Sequence, residues 1–197
     1  MSTDFLFLES ESPNIGDSLS RAHWNDVLGK VVKITFSFKG EPFSSVGLIT
    51  DRRTVSTTFG AVLNKSRVNV RYCQHGGIEA AGQVARDPVC LSANIYPDYL
   101  PSVGKIELSR EALINKDFVV INHCKKDWSF GRFSLVNVIP QMALTELDLD
   151  CPDGITGAPV FSHEQKLIGL IIGRIPFTKY YLAAPWGVHF RDRVESL

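Results

Sequence analysis

The hydroxyl best placed to do chemistry is that of Thr156, in the stretch Cys151-Pro152-Asp153-Gly154-Ile155-Thr156-Gly157-Ala158-Pro159. Gly154 and Gly157 suit a tight turn whose backbone amides point inward, because such a turn has no room for a Cβ. Attack by a hydroxyl needs a base within hydrogen-bond reach, since an alcohol is almost wholly protonated at neutral pH. His75, beside Gly76-Gly77, reads as a loop residue, and His163, in Ser162-His163-Glu164-Gln165, as part of the turn after the motif. Neither is expected to serve as that base. Cys73 with His75, and His123 with Cys124, carry four atoms of the zinc-binding type, but neither pair has the spacing of a zinc site. No metal and no cofactor is expected.

A turn of this kind has to be held by other elements, and the sequence reads as strands. Val32, Ile34, Phe36 and Phe38 alternate with Lys33, Thr35 and Ser37, the period of a half-buried strand, and Lys39-Gly40-Glu41-Pro42 turns the chain. Val46 to Thr50 follows, then the polar turn Asp51-Arg52-Arg53 and a run from Thr54 to Thr58. Arg67 to Tyr72 alternates again. Further strands are expected at Val84 to Leu91, Phe118 to Asn122, Phe133 to Ile139, Leu167 to Ile172 and Tyr180 to Ala184, with a break over residues 101–116. Helix signals are confined to Ser20 to Leu28 and Arg191 to Leu197.

Three of these stretches, in order, resemble the chymotrypsin/trypsin family. Gly47-Leu48-Ile49-Thr50-Asp51-Arg52-Arg53-Thr54-Val55-Ser56-Thr57-Thr58-Phe59-Gly60 is similar to the strand, turn and strand that lead into the family's Ala-Ala-His-Cys. Gly154-Ile155-Thr156-Gly157-Ala158-Pro159, followed by Lys166 to Gly173, resembles Gly-Asp-Ser-Gly-Gly-Pro and the strand behind it. Trp186 to Val194 resembles the last strand and the start of the terminal helix. Val68-Asn69-Val70-Arg71 and Ile95-Tyr96-Pro97-Asp98-Tyr99 are weaker matches, the second to the segment ahead of the family's aspartate.

The resemblance implies an all-β fold: a trypsin-like double six-stranded antiparallel β-barrel with a short C-terminal helix. It divides the chain into an N-terminal tail or strap (1–25), a first barrel (26–110) and a second barrel with the terminal helix (111–197). It also implies that the triad is degenerate. Phe59 stands at the general-base histidine, Thr156 at the serine, and Ile155 at the aspartate that shapes the oxyanion turn of Gly154 and Gly157. The acidic member falls on Lys105 or on Asp117. A phenylalanine cannot accept a proton, and loss of the base alone costs roughly 10^4 to 10^6-fold in rate.

Lys plus Arg and Asp plus Glu number 21 each, so no net field draws in nucleic acid or anionic lipid. No nucleic-acid or membrane partner is expected. Phe5-Leu6-Phe7-Leu8 is followed at once by Glu9 and Glu11, unlike a signal peptide, and the cysteines Cys73, Cys90, Cys124 and Cys151 have no framework spacing. The expectation is an intracellular protein, cytoplasmic or nuclear, acting as a non-catalytic pseudoprotease that binds protein partners. The alternatives are an active protease using Thr156 with an unrecognised base, and a structural subunit of an oligomeric assembly such as a homo-oligomer.

Overall fold

A computed structural model describes residues 21–88, 91–108, 117–122, 127–139, 142–148, 155–162, 164–174 and 180–185. The chain enters through helix α1 (Arg21–Leu28) and forms β1 (Val31–Phe38), β2 (Glu41–Ile49) and β3 (Val55–Thr58). A single helical turn, α2 (Phe59–Val62), precedes β4 (Arg67–Tyr72), β5 (Ile78–Asp87) and β6 (Ser92–Pro97). The second half consists of β7 (Asp117–Asn122), β8 (Asp127–Ile139), β9 (Met142–Asp148), β10 (Pro159–Phe161), β11 (Leu167–Arg174) and β12 (Tyr180–Pro185).

Both halves close into barrels. The first runs β1-β2-β3-β6-β5-β4 and the second β10-β11-β12-β9-β8-β7. Read from β7, the second repeats the order of the first strand for strand, so one topology is used twice. All named pairings are antiparallel. Closure leaves no edge strand to template aggregation.

Side-chain alternation explains why these segments are strands. In β4, Val68, Val70 and Tyr72 point inward while Arg67, Asn69 and Arg71 face solvent. The β1–β2 link is tighter than the four-residue turn expected. Lys39 and Gly40 alone make it, with φ of 51° and 80°, the handedness a two-residue hairpin needs, and Glu41 and Pro42 already pair with Phe38 and Ser37. β5 starts six residues earlier than expected. After Ile78 its first half, Glu79-Ala80-Ala81-Gly82, has no β-branched or aromatic residue of the kind that marks strands, and Gly82 is fitted closely against Ile95 and Pro97 of β6.

Two apolar clusters result. One fills the first barrel around Ile34, Val55, Val70 and Ile95. The other runs from α1 and the outer face of β2 into the second barrel, joining Trp24, Val46 and Leu48 to Ile155, Phe161 and Leu170. Trp24 is fully buried, its ring edge-on to Phe161 with centroids 6.2 Å apart. Helix α1 therefore packs into the unit through Trp24 and Val27. The expected terminal helix over Arg191 to Leu197 lies outside the described residues, as do residues 1–20. Among the described residues no helix is long and apolar enough to cross a membrane.

Lys30 ends the α1–β1 link, its carbonyl accepting the Ile49 N–H at 2.7 Å while its side chain is 8% exposed. Burial lowers its pKa from the ordinary 10.5, and the carboxylates of Asp26 and Glu107 offset this only in part. The unfolded chain then holds the proton more tightly than the folded one, so this group adds stability as pH rises through the interval below 10.5. Urea unfolding of wild type and Lys30→Met between pH 7 and about 10.5 should show the variant more stable at neutral pH, with the gap narrowing as pH climbs.

Candidate functional site

The barrels meet at the turn Ile155 to Ala158. Gly157 has φ +85°, and a Cβ built there would strike the Val46 carbonyl and the Thr57 hydroxyl well inside van der Waals contact. Only glycine satisfies both the handedness and the space. The turn is bonded to both barrels. The Val46 N–H donates to the Thr156 carbonyl at 3.0 Å, and the Gly157 N–H donates to the Ile171 carbonyl at 2.7 Å. The Ala158 N–H closes the turn on the Ile155 carbonyl at 2.8 Å. Ile155 is fully buried in the cluster containing Trp24 and Val46.

The opposing face is the end of β3. Thr57 donates its hydroxyl to the Val46 carbonyl at 2.8 Å, and Thr58 donates to the Ile171 carbonyl at 3.3 Å. Ser45 donates to the Ala61 carbonyl at 2.6 Å. These buried hydroxyls tie β2, β3, α2 and β11 together. Phe59 then starts α2, its N–H donating to the Leu91 carbonyl at 3.2 Å. The next residue, Gly60, faces the turn: a Cβ there would lie 3.0 Å from Thr156 Cγ2 and 3.1 Å from the Ile172 carbonyl oxygen. Thr156 thus stands against the segment that carries Phe59.

The structure brings together Phe59, Ile155, Thr156 and Gly157 from segments nearly a hundred residues apart in sequence. It does not bring Lys105 to them. That residue lines a cavity with Asp51 to Thr54, at the opposite end of β3 from Phe59. The reason is the register: β6 runs antiparallel to β3, with Thr58 opposite Ser92 and Val55 opposite Ile95. A group able to orient a base at position 59 must come from the β5–β6 connection, where Leu91 sits. The segment Ile95 to Pro97, read from sequence as preceding the acidic position, is itself the second half of β6. Leu91 was missed because Val84 to Leu91 reads as one strand, whereas β5 ends at Asp87 and β6 starts at Ser92. Asp117 opens β7 in the second barrel, in register with Arg132. His75 is held elsewhere, with Nε2 2.8 Å from the Gly29 carbonyl oxygen. Gly154, His163, His123 and Cys124 lie outside the described residues. Cys73 is a free, half-buried thiol.

Solved structures resemble this chain. The Rv3671c protease in its inactive form superposes with a TM-score of 0.68 at 15% identity, over 91% of this chain and 94% of that one. The active form of the protease, from M. tuberculosis, gives a TM-score of 0.69 at 17% identity, over 82% of this chain and 78% of that one. The fold is that of a trypsin-like protease. At such identities the likeness extends to the fold alone. No family model matches the sequence, and no curated protein matches it.

Within that trypsin-like fold, the described residues meeting at the juncture are Val46, Thr57, Thr58, Phe59, Gly60, Leu91, Ile155, Thr156, Gly157 and Ile171. None of them titrates. A hydroxyl is present, and the tight turn is present, but the described groups around them cannot exchange a proton near neutral pH. Gly157→Ala should cost about 3–5 kcal/mol in urea unfolding, through strain at positive φ plus overlap with Val46 and Thr57. Ile155→Asp should cost about 3–5 kcal/mol at neutral pH, because a carboxylate would be buried without a counter-charge. That penalty should shrink on acidification, since burial raises the carboxyl pKa and the neutral acid is cheaper to bury; an unchanged penalty at low pH would contradict the burial of this position.

Proposed function

We propose that the chain is a trypsin-like scaffold without hydrolytic activity, whose role is to bind a protein partner. The observation that carries this reading is the juncture itself, where Thr156 faces the Phe59–Gly60 segment and the described residues contribute no proton acceptor with a pKa near neutrality. Leu91 adjoins the Phe59 backbone where a base would need an orienting carboxylate. Ile155 is packed in the core and contributes no charge. Thr156 also carries a methyl on the carbon bearing its oxygen, which restricts the rotamers open for attack.

The remaining features are those a protein-binding scaffold needs. Both barrels are closed, the turn between them is hydrogen-bonded from each side, and the exposed aromatic side chains Tyr96 and Tyr99 are of the type enriched at interfaces.

A fluorophosphonate probe, which labels activated hydroxyls, should leave the wild-type chain unmodified, and Thr156→Ala should behave identically. Labelling of wild type that Thr156→Ala abolishes would establish a nucleophile and overturn the reading. The double variant Phe59→His with Thr156→Ser should still fail to cleave a peptide panel, because Leu91 and Ile155 remain. Cleavage more than about tenfold above the buffer rate would contradict the assignment of those positions.

A further inference from the structure

A second site lies at the other end of the first barrel. A cavity of about 1060 Å³ opens there, between the β2–β3 hairpin turn and the segment following β6. Its volume is just above the range for small-ligand sites, roughly 300–1,000 Å³. Three cations line it: Arg52 and Arg53 on the hairpin turn, and Lys105 on the opposite wall. All three are exposed, and among the described residues none of them forms an ion pair. The one carboxylate on the rim, Asp51, accepts the Arg53 backbone N–H at 2.8 Å and so shapes the turn.

Both walls are fixed. The hairpin turn is braced by the Thr50 and Ser56 hydroxyls, 2.7 Å apart, and by the Thr50 N–H donating to the Thr54 carbonyl at 3.1 Å. The opposite wall is anchored just upstream, where the Asp98 N–H donates to the Ala81 carbonyl at 2.8 Å and the Tyr72 hydroxyl donates to the Tyr99 carbonyl. Beyond that anchor, Leu100 and Val103 pack against the apolar interior of the first barrel and also line the cavity. The cavity is therefore a preformed concavity with an apolar floor and a cationic rim.

We propose that this cavity binds a peptide segment of a partner protein in which acidic side chains alternate with apolar ones. Carboxylates match the guanidinium groups of Arg52 and Arg53, which accept them in bidentate fashion, and the ammonium of Lys105. Apolar side chains of the same segment match Leu100 and Val103. A small inorganic anion leaves that floor unused. A nucleic acid fits poorly, because three cations beside Asp51 on a chain of zero net charge give few of the phosphate contacts on which such binding depends. The site shares no residue with the Phe59–Thr156 juncture, so the proposal holds whether or not Thr156 is reactive.

Isothermal titration of the full chain with a short acetylated peptide of alternating Glu and Leu tests it. Binding should be saturable and should weaken steeply with added salt. The exposed-site variant Arg52→Gln, Arg53→Gln, Lys105→Gln should lose at least about tenfold in affinity while keeping the wild-type circular dichroism spectrum. Arg52→Lys with Arg53→Lys should keep part of the affinity, and Thr156→Ala should keep all of it. The proposal fails if the triple glutamine variant binds as wild type, if a Gln-Leu peptide binds as tightly as the Glu-Leu peptide, or if no heat is evolved. Tighter binding of inorganic phosphate or of a single-stranded oligonucleotide than of the Glu-Leu peptide would assign the cavity to that ligand instead and overturn the peptide.

Discussion

The join between the barrels depends on a backbone turn with no room for a side chain. Gly157 lies so close to the Val46 carbonyl and the Thr57 hydroxyl that any Cβ would overlap both. That closeness lets the Val46 N–H reach the Thr156 carbonyl and the Gly157 N–H reach the Ile171 carbonyl. Each barrel is closed by its own ladders, so what fixes one against the other is the Val46–Thr156 bond, the Thr58 hydroxyl bonded to the Ile171 carbonyl, and the apolar cluster beneath. The cluster is continuous across the join because Val46 and Leu48 belong to the first barrel while Ile155 and Phe161 belong to the second.

This arrangement accounts for Gly157 without any appeal to catalysis. A turn that presents amides inward is what a hydrolase uses for an oxyanion; here the Gly157 and Ala158 amides bond to the Ile171 and Ile155 carbonyls, and the Thr156 carbonyl takes the Val46 N–H of the first barrel. The positions flanking Phe59 show the same conversion. Thr57 bonds to Val46 within the first barrel and Thr58 to Ile171 across the seam, so the β3 end ties strands together where the resembling family has two alanines and a base. The apolar Ile155 does likewise, filling space in the core.

Much of this was legible in the sequence, and the gaps have physical causes. The alternation in β1 and β4 declares half-buried strands directly, and the Gly-x-Thr-Gly-x-Pro turn declares its own geometry because glycine is required there. Helix α1 was visible as a segment, but that Trp24 enters the core depends on Phe161, far along the chain. The first half of β5 was illegible because Ala80, Ala81 and Gly82 carry no strand signal, Gly82 being fitted closely against β6. Counting residues forward from a motif put the acidic position at Lys105 or Asp117; the structure has Leu91 next to Phe59, Lys105 at the far end of β3 and Asp117 at the start of β7. The bridging hydroxyls of Ser45, Thr57 and Thr58 had no signature, since polar residues in a strand read as solvent-facing until the opposite barrel covers them.

In the proposed reading no base among the described residues takes the proton of the Thr156 hydroxyl, so no acyl bond forms there. Peptide mapping by mass spectrometry after incubation with an activated acetyl ester measures that directly, because an acyl group on Thr156 is retained as added mass on its peptide. The account predicts no adduct on the peptide containing Thr156, at any pH from mildly acidic to mildly alkaline. A stoichiometric acetyl group on Thr156, appearing with a sigmoidal dependence on pH near the histidine range, would show that a base reaches it and would contradict the account.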